Sequence, residues 1–147
     1  MVLSLPWLER GSPFFRFVRS PHRTEYDLQE IADRLQGERT TARVFTRFEW
    51  SEYLIWSLGP DFPVFMDGRI EIFPDEVWDE YSAVTSGRAD WQRILNKYQV
   101  NYLLIDAGPY HARLRPLVED SPLWQRVHEA GDSTLYRRTS RPGAARR

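Results

Sequence analysis

Residues 48 to 81, FEWSEYLIWSLGPDFPVFMDGRIEIFPDEVWDEY, are the stretch on which the reading of the fold turns. Trp50, Tyr53, Leu54 and Leu58 recur at helical spacing, and Gly59-Pro60 supplies a stop. The run Phe62 to Met66 is apolar on both alternating faces, which predicts a central strand covered by helices on two sides. Asp67-Gly68-Arg69 then falls at the exposed end of that strand, the position at which α/β domains tend to contact ligands. Arg69 to Phe73 alternates polar and apolar side chains and predicts a brief edge strand. Pro74 suits the first position of a helix, Asp75 and Glu76 complement its dipole, and Val77, Trp78, Tyr81 and Val84 form its apolar face before Gly87.

The pattern continues in both directions. Upstream, Thr24 can cap a helix carrying Leu28, Ile31, Ala32 and Leu35, with Gly37 as its terminator, and Ala42 to Thr46 predicts a first strand. Downstream, Trp91, Ile94, Leu95 and Tyr98 mark another helix, Asn101 to Asp106 a third buried strand, and Tyr110 to Val118 a further helix. Leu123 to Glu129 returns through Gly131-Asp132 to Thr134–Arg138 as a hairpin. Strands alternating with helices predict an α/β three-layer sandwich. Its central sheet is expected to be mostly parallel and flanked by helices, with the C-terminal antiparallel hairpin at one edge. Residues 1–22 contain three prolines and read as an irregular segment, 23–138 as a single α/β domain, and 139–147 as a disordered, arginine-rich tail.

Composition narrows the function classes. A chain of 147 residues is about one domain, able to bury a core without covalent staples. Lys and Arg number 20 against 21 Asp and Glu, so no bulk field draws the chain to nucleic acid or to anionic lipid. Lys97 is the single lysine, a bias that GC-rich coding accounts for and that bidentate anion recognition would also produce. Without cysteine there is no disulfide, thiolate nucleophile or thiolate metal site. No segment approaches the roughly 18 apolar residues that span a bilayer, and residues 1–18 lack the plan of a secretory signal. Taken as complete, the chain reads as a cytoplasmic protein.

Asp67, Arg69 and Glu71 are the leading candidate contact residues. Arg69 offers a planar fork of donors and the two carboxylates accept, a mixture suited to a sugar or a phosphate. The same residues also read as a structural turn, Asp-Gly favouring positive φ and Arg69 pairing with Asp67 or Glu49. Glu49 joins the candidate set as a carboxylate that reads either as solvated or as reaching the mouth of the sheet. A metal-dependent nuclease would want a lysine where Phe73 stands. His22, His111 and His128 show no metal-ligand spacing, no G-x-S-x-G elbow occurs, and the eight glycines form no phosphate loop. No metal, cofactor or catalytic residue is expected.

Several of these motifs form one ordered series. Arg43-Val44-Phe45, then Trp50 through Trp56, then Pro63-Val64-Phe65-Met66-Asp67-Gly68-Arg69 are followed by Trp91 with Ile94-Leu95 and Tyr98. Asn101-Tyr102-Leu103-Leu104, Trp124 with Val127, and Leu135-Tyr136-Arg137 complete it. Over roughly Glu25 to Arg138 this series resembles the soluble C-terminal domain that follows the membrane helices of many bacterial polytopic glycosyltransferase-like proteins. These are relatives of the dolichyl-phosphate-mannose and aminoarabinose transferases. Ser51-Glu52 depart from the family, which has small residues there. In that family the catalytic acids lie in loops between the first membrane helices, so the resemblance implies a non-catalytic accessory or interaction domain on the extracytoplasmic face. Its partner would be the membrane part of such a protein or the lipid-linked sugar it uses, and LSLPWL and PFFRFV would lie where a last membrane helix joined. A free-standing enzyme acting on a sugar or phosphate ester, and a protein-interaction module, are the alternatives.

Overall fold

The computed structural model describes residues 21–139, and the expectations for 1–20 and 140–147 lie outside the described residues. Helix α1 (Pro21–Gln36) opens the described chain, ahead of the expected cap at Thr24. Strand β1 (Val44–Phe45), helix α2 (Phe48–Leu58) and a 3-10 turn (Ile70–Ile72) follow. Helices α3 (Asp75–Thr85) and α4 (Trp91–Lys97) lead into β2 (Tyr102–Asp106). A second 3-10 turn (Pro109–His111) and helix α5 (Leu114–Glu119) precede the hairpin of β3 (Trp124–Ala130) and β4 (Ser133–Arg138).

The sheet has four strands in the order β1-β2-β4-β3. Only β1 and β2 run parallel; β2 with β4 and β4 with β3 are antiparallel. This overturns the expected mostly parallel three-layer sandwich, for two physical reasons. The apolar run Phe62 to Met66 does not become a strand: it lies along β1 through one parallel bridge, Val44 with Val64. Pro63 has no N–H to extend a ladder, so the contact ends with Val44 N–H to the Pro63 carbonyl and Phe65 N–H to the Val44 carbonyl. The hairpin does lie at one edge, as expected, but it supplies two of the four strands and so makes the sheet mostly antiparallel. β4 inserts beside β2 over five residue pairs and makes that strand central. The predicted edge strand at Arg69 to Phe73 also fails, since its middle winds into the first 3-10 turn.

β2 is buried along its whole length and its side chains alternate between two cores. Leu103 and Ile105 meet Tyr81, Ile94, Leu95 and Val118 from α3, α4 and α5. Tyr102 and Leu104 meet Leu28, Ile31, Leu35 and Leu54 from α1 and α2. Fully burying one such side chain is worth about 1.5–3 kcal/mol, so one strand anchors helices on both faces. β3 forms the outer edge, where the pairing shifts between Arg126 and His128 and leaves Val127 as an extra residue. Such a bulge, flanked by charged side chains, blunts the edge against pairing with another chain. No described helix is long and apolar enough to cross a membrane.

Helix α2 ends as its sequence demands. Gly59 has φ +110 and ψ 160, a conformation open essentially only to glycine, and the Arg39 guanidinium lies where a Cβ would stand. Gly59→Ala is expected to lower stability by about 1–3 kcal/mol. Urea unfolding checks this: the midpoint should fall with the slope unchanged, and an unshifted midpoint would refute it.

Candidate functional site

The parallel segments all end on one side of the molecule. β1 runs out at Thr46-Arg47, the bridged segment at Asp67, and β2 at Asp106. This carboxyl edge is where open α/β sheets place ligands.

Asp67 is buried at the end of its segment and forms a closed unit with Arg69. One carboxylate oxygen accepts the Arg69 backbone N–H at 3.0 Å and Nε at 3.1 Å; the other accepts Nε at 3.1 Å and Nη2 at 2.7 Å. These hydrogen bonds hold the Asp67 carboxyl below the usual carboxylate range, against the opposing effect of its burial. The Arg69 side chain is 73% exposed while that of Asp67 is 8% exposed, so the guanidinium is fixed from beneath and open above. Both residues line a cleft of about 210 Å³ whose walls include Ile55, Val64, Phe65 and Phe73. The expected Asp67–Arg69 pairing forms, whereas Gly68 is not among the described glycines with positive φ, which are Gly59, Gly87 and Gly131. Glu52, on the outer face of α2, closes over Gly68 where any Cβ would meet its carboxylate.

The other two candidates lie apart from this pair. Glu71 is exposed on the 3-10 turn. Glu49 belongs to a different cluster, centred on Arg47. Arg47 Nη1 donates to Asp106 Oδ2 at 2.6 Å, while its Nε and Nη2 meet Glu49 at 3.4 Å each. The guanidinium carbon sits 4.5 Å from the centre of the Tyr110 ring and 5.4 Å from that of Trp50. Burial lowers the Arg47 pKa, but the hydrogen bonds to Glu49 and Asp106 outweigh it and the net displacement is upward. Asp106 also accepts the Gly108 N–H at 2.6 Å, which tightens the loop after β2.

That loop carries a buried histidine. His111 Nδ1 accepts the Asp106 backbone N–H at 2.9 Å, and its Nε2 has no hydrogen-bond partner among the described residues. Burial pushes its pKa down to about 4, so the ring is neutral. The Tyr110 hydroxyl meets that of Tyr81 at 2.7 Å, and Tyr81 in turn accepts the Phe48 N–H. Three segments distant in sequence are thereby knotted together at the carboxyl edge.

Sequence reasoning missed Arg47, Asp106, Tyr110 and His111. Arg47 and Asp106 each carried a usable signal, a charged residue at the end of an apolar strand. Among the described residues no group of three histidine or carboxylate side chains could hold a metal ion. What the geometry offers is an exposed, pre-oriented guanidinium beside a cleft of mixed polar and apolar lining, and an ionic knot already satisfied from within. Comparison with known proteins adds no relative: no family model, no curated protein and no solved structure matches the chain.

Proposed function

We propose that the chain is a non-catalytic accessory or interaction domain, belonging to or derived from a membrane glycosyltransferase-like protein that uses lipid-linked sugars, and working on its extracytoplasmic face. One observation supports the non-catalytic part above the others. The buried carboxylate best placed for chemistry, Asp67, accepts four hydrogen bonds from Arg69 and has a lowered pKa. A general acid or base works best with a pKa near the operating pH, and Asp67 is displaced away from it. Glu49 is held beside Arg47 in a separate cluster. The tie to a membrane glycosyltransferase rests on the resemblance of the residue series alone.

In this role the Asp67–Arg69 unit is a contact device. Asp67 orients the guanidinium, and Arg69 offers its remaining donors to hydroxyls or to an anionic group at the cleft mouth. The test is a binding screen of the purified chain against sugar nucleotides, polyprenyl phosphates and simple glycans, beside Asp67→Ala/Arg69→Ala. Binding that falls at least tenfold in the double variant, with no ligand turned over, is the expected outcome. Equal binding by the two proteins would remove the contact role, and turnover of any ligand would remove the non-catalytic one.

A further inference from the structure

We propose that the amino-terminal edge of the sheet, opposite Asp67 and Asp106, lies on an anionic lipid surface through Arg39, Arg43 and Arg137, with Trp56 as its interfacial anchor. The whole chain has a formal charge of −1, so composition alone gives no such face. The fold segregates the charges. β1 begins after Arg43, and β4 reaches the same edge in the opposite direction, because Tyr102 pairs with Arg137 in the antiparallel register. The turn that follows α1 brings Arg39 against Gly59 at the end of α2. Arg34 shares a small cavity with Arg137, Glu38 and Tyr102 at this edge.

The acids there are Glu38, which meets Arg137 at 3.5 Å with both side chains about half exposed, Asp61 in the loop after α2, and Glu76 and Glu80, which are engaged by Lys97 beside Tyr98. Arg34, Arg39 and Arg43 make no ion pair among the described residues. At the carboxyl edge, Arg47 and Arg69 are both tied to carboxylates, those of Glu49, Asp106 and Asp67. The arginines without ion pairs at the amino edge, Arg34, Arg39 and Arg43, make it the face more complementary to an anionic surface.

Trp56 decides which polyanion fits. It lies within a turn of Gly59, on the outward side of α2, and is 77% exposed, the most exposed large apolar side chain among those described. Tryptophan beside arginine is the chemistry of a membrane interface, where the indole sits among headgroups and the guanidinium meets phosphate. The inference stands on charge placement and topology and goes beyond the accessory-domain reading. The edge it names is not the one that carries Asp67 and Arg69, so either can fail alone.

The experiment is co-sedimentation of the full chain with vesicles of phosphatidylcholine alone and of phosphatidylcholine mixed with phosphatidylglycerol. Binding is expected only to the mixed vesicles and should weaken as salt rises. Each arginine replaced by glutamine should lower partitioning about fivefold, so Arg39→Gln/Arg43→Gln/Arg137→Gln should lose about a hundredfold. Lysine at the three positions should restore binding, and Trp56→Ala should weaken it without a change of charge. These two variants keep the test decisive if the glutamine variant fails to fold. Equal binding to both vesicles, binding to neither, a glutamine variant that binds as the parent does, or binding to a DNA duplex in place of vesicles would each overturn the proposal.

Discussion

Replacing Arg47 with alanine is expected to destabilise the domain by about 3 kcal/mol, the low end of the cost of breaking a buried pair. The substitution leaves Asp106, whose side chain is 9% exposed, without its 2.6 Å partner. It also removes a cation from between the rings of Tyr110 and Trp50, a contact worth about 0.5–2 kcal/mol. The effect stays at the low end because Arg47 is itself 23% exposed and the Glu49 arm, at 3.4 Å, is long and half wet. Asp106→Ala should cost a similar amount, since it frees the Gly108 N–H as well. The double variant should cost clearly less than the two singles added, which is the signature of a direct interaction. Arg93→Ala serves as a control, because its pair with Asp90 is exposed on both sides and should be worth under about 0.5 kcal/mol. Urea denaturation of the four proteins measures the cycle, and an Arg47→Ala cost no larger than that of the control would show that the knot does not hold the edge.

The reach in sequence of each contact explains what could be read in advance. Helix α2 was legible to its last residue because its signals are local: Trp50, Leu54 and Leu58 repeat within the helix, and Gly59 stops it. The hairpin was legible for the same reason, two β-prone runs about a Gly131-Asp132 turn. Phe62 to Met66 was not, since an apolar run of that length fits several structures and the choice belongs to its neighbour. β1 has two residues and Pro63 gives it no donor, so one bridge is all that forms. Strand order was illegible too, because the insertion of β4 beside β2 depends on pairing residues about thirty positions apart. The site divides along the same line. Asp67 and Arg69 are two residues apart and their pairing was one of two open readings, whereas Arg47 and Asp106 are 59 apart and meet only once β1 has found β2.

Acidification between about pH 6.5 and pH 4 is expected to remove about 3 kcal/mol of stability through His111 alone. The ring is fully buried and its Nδ1 accepts the Asp106 N–H, so the neutral ring carries its proton on Nε2, and a second proton, on Nδ1, would face that donor and break the bond. Burial is the main cause of its lowered pKa; Arg47 adds to the effect and the Asp106 carboxylate opposes it without prevailing. The sign follows from the direction. With a folded pKa of about 4 and an unfolded value near 6.5, the unfolded chain binds more protons throughout that window, so stability rises with pH across it and the contribution is complete above pH 6.5. Asp67 acts in the same sense but only below its ordinary carboxylate range, which separates the two effects. His111→Asn keeps an acceptor oxygen near the position of Nδ1 and cannot take up a proton there. Its stability at pH 7.5 should fall because the smaller side chain leaves a cavity, yet its profile from pH 6.5 to 4 should lose the His111 slope. Because His111 fastens the loop after β2 to the carboxyl edge, amide exchange in residues 106–111 should quicken on acidification before the global transition. A parent profile flat across this window, or an unchanged slope in His111→Asn, would show that the buried imidazole is not the group that titrates.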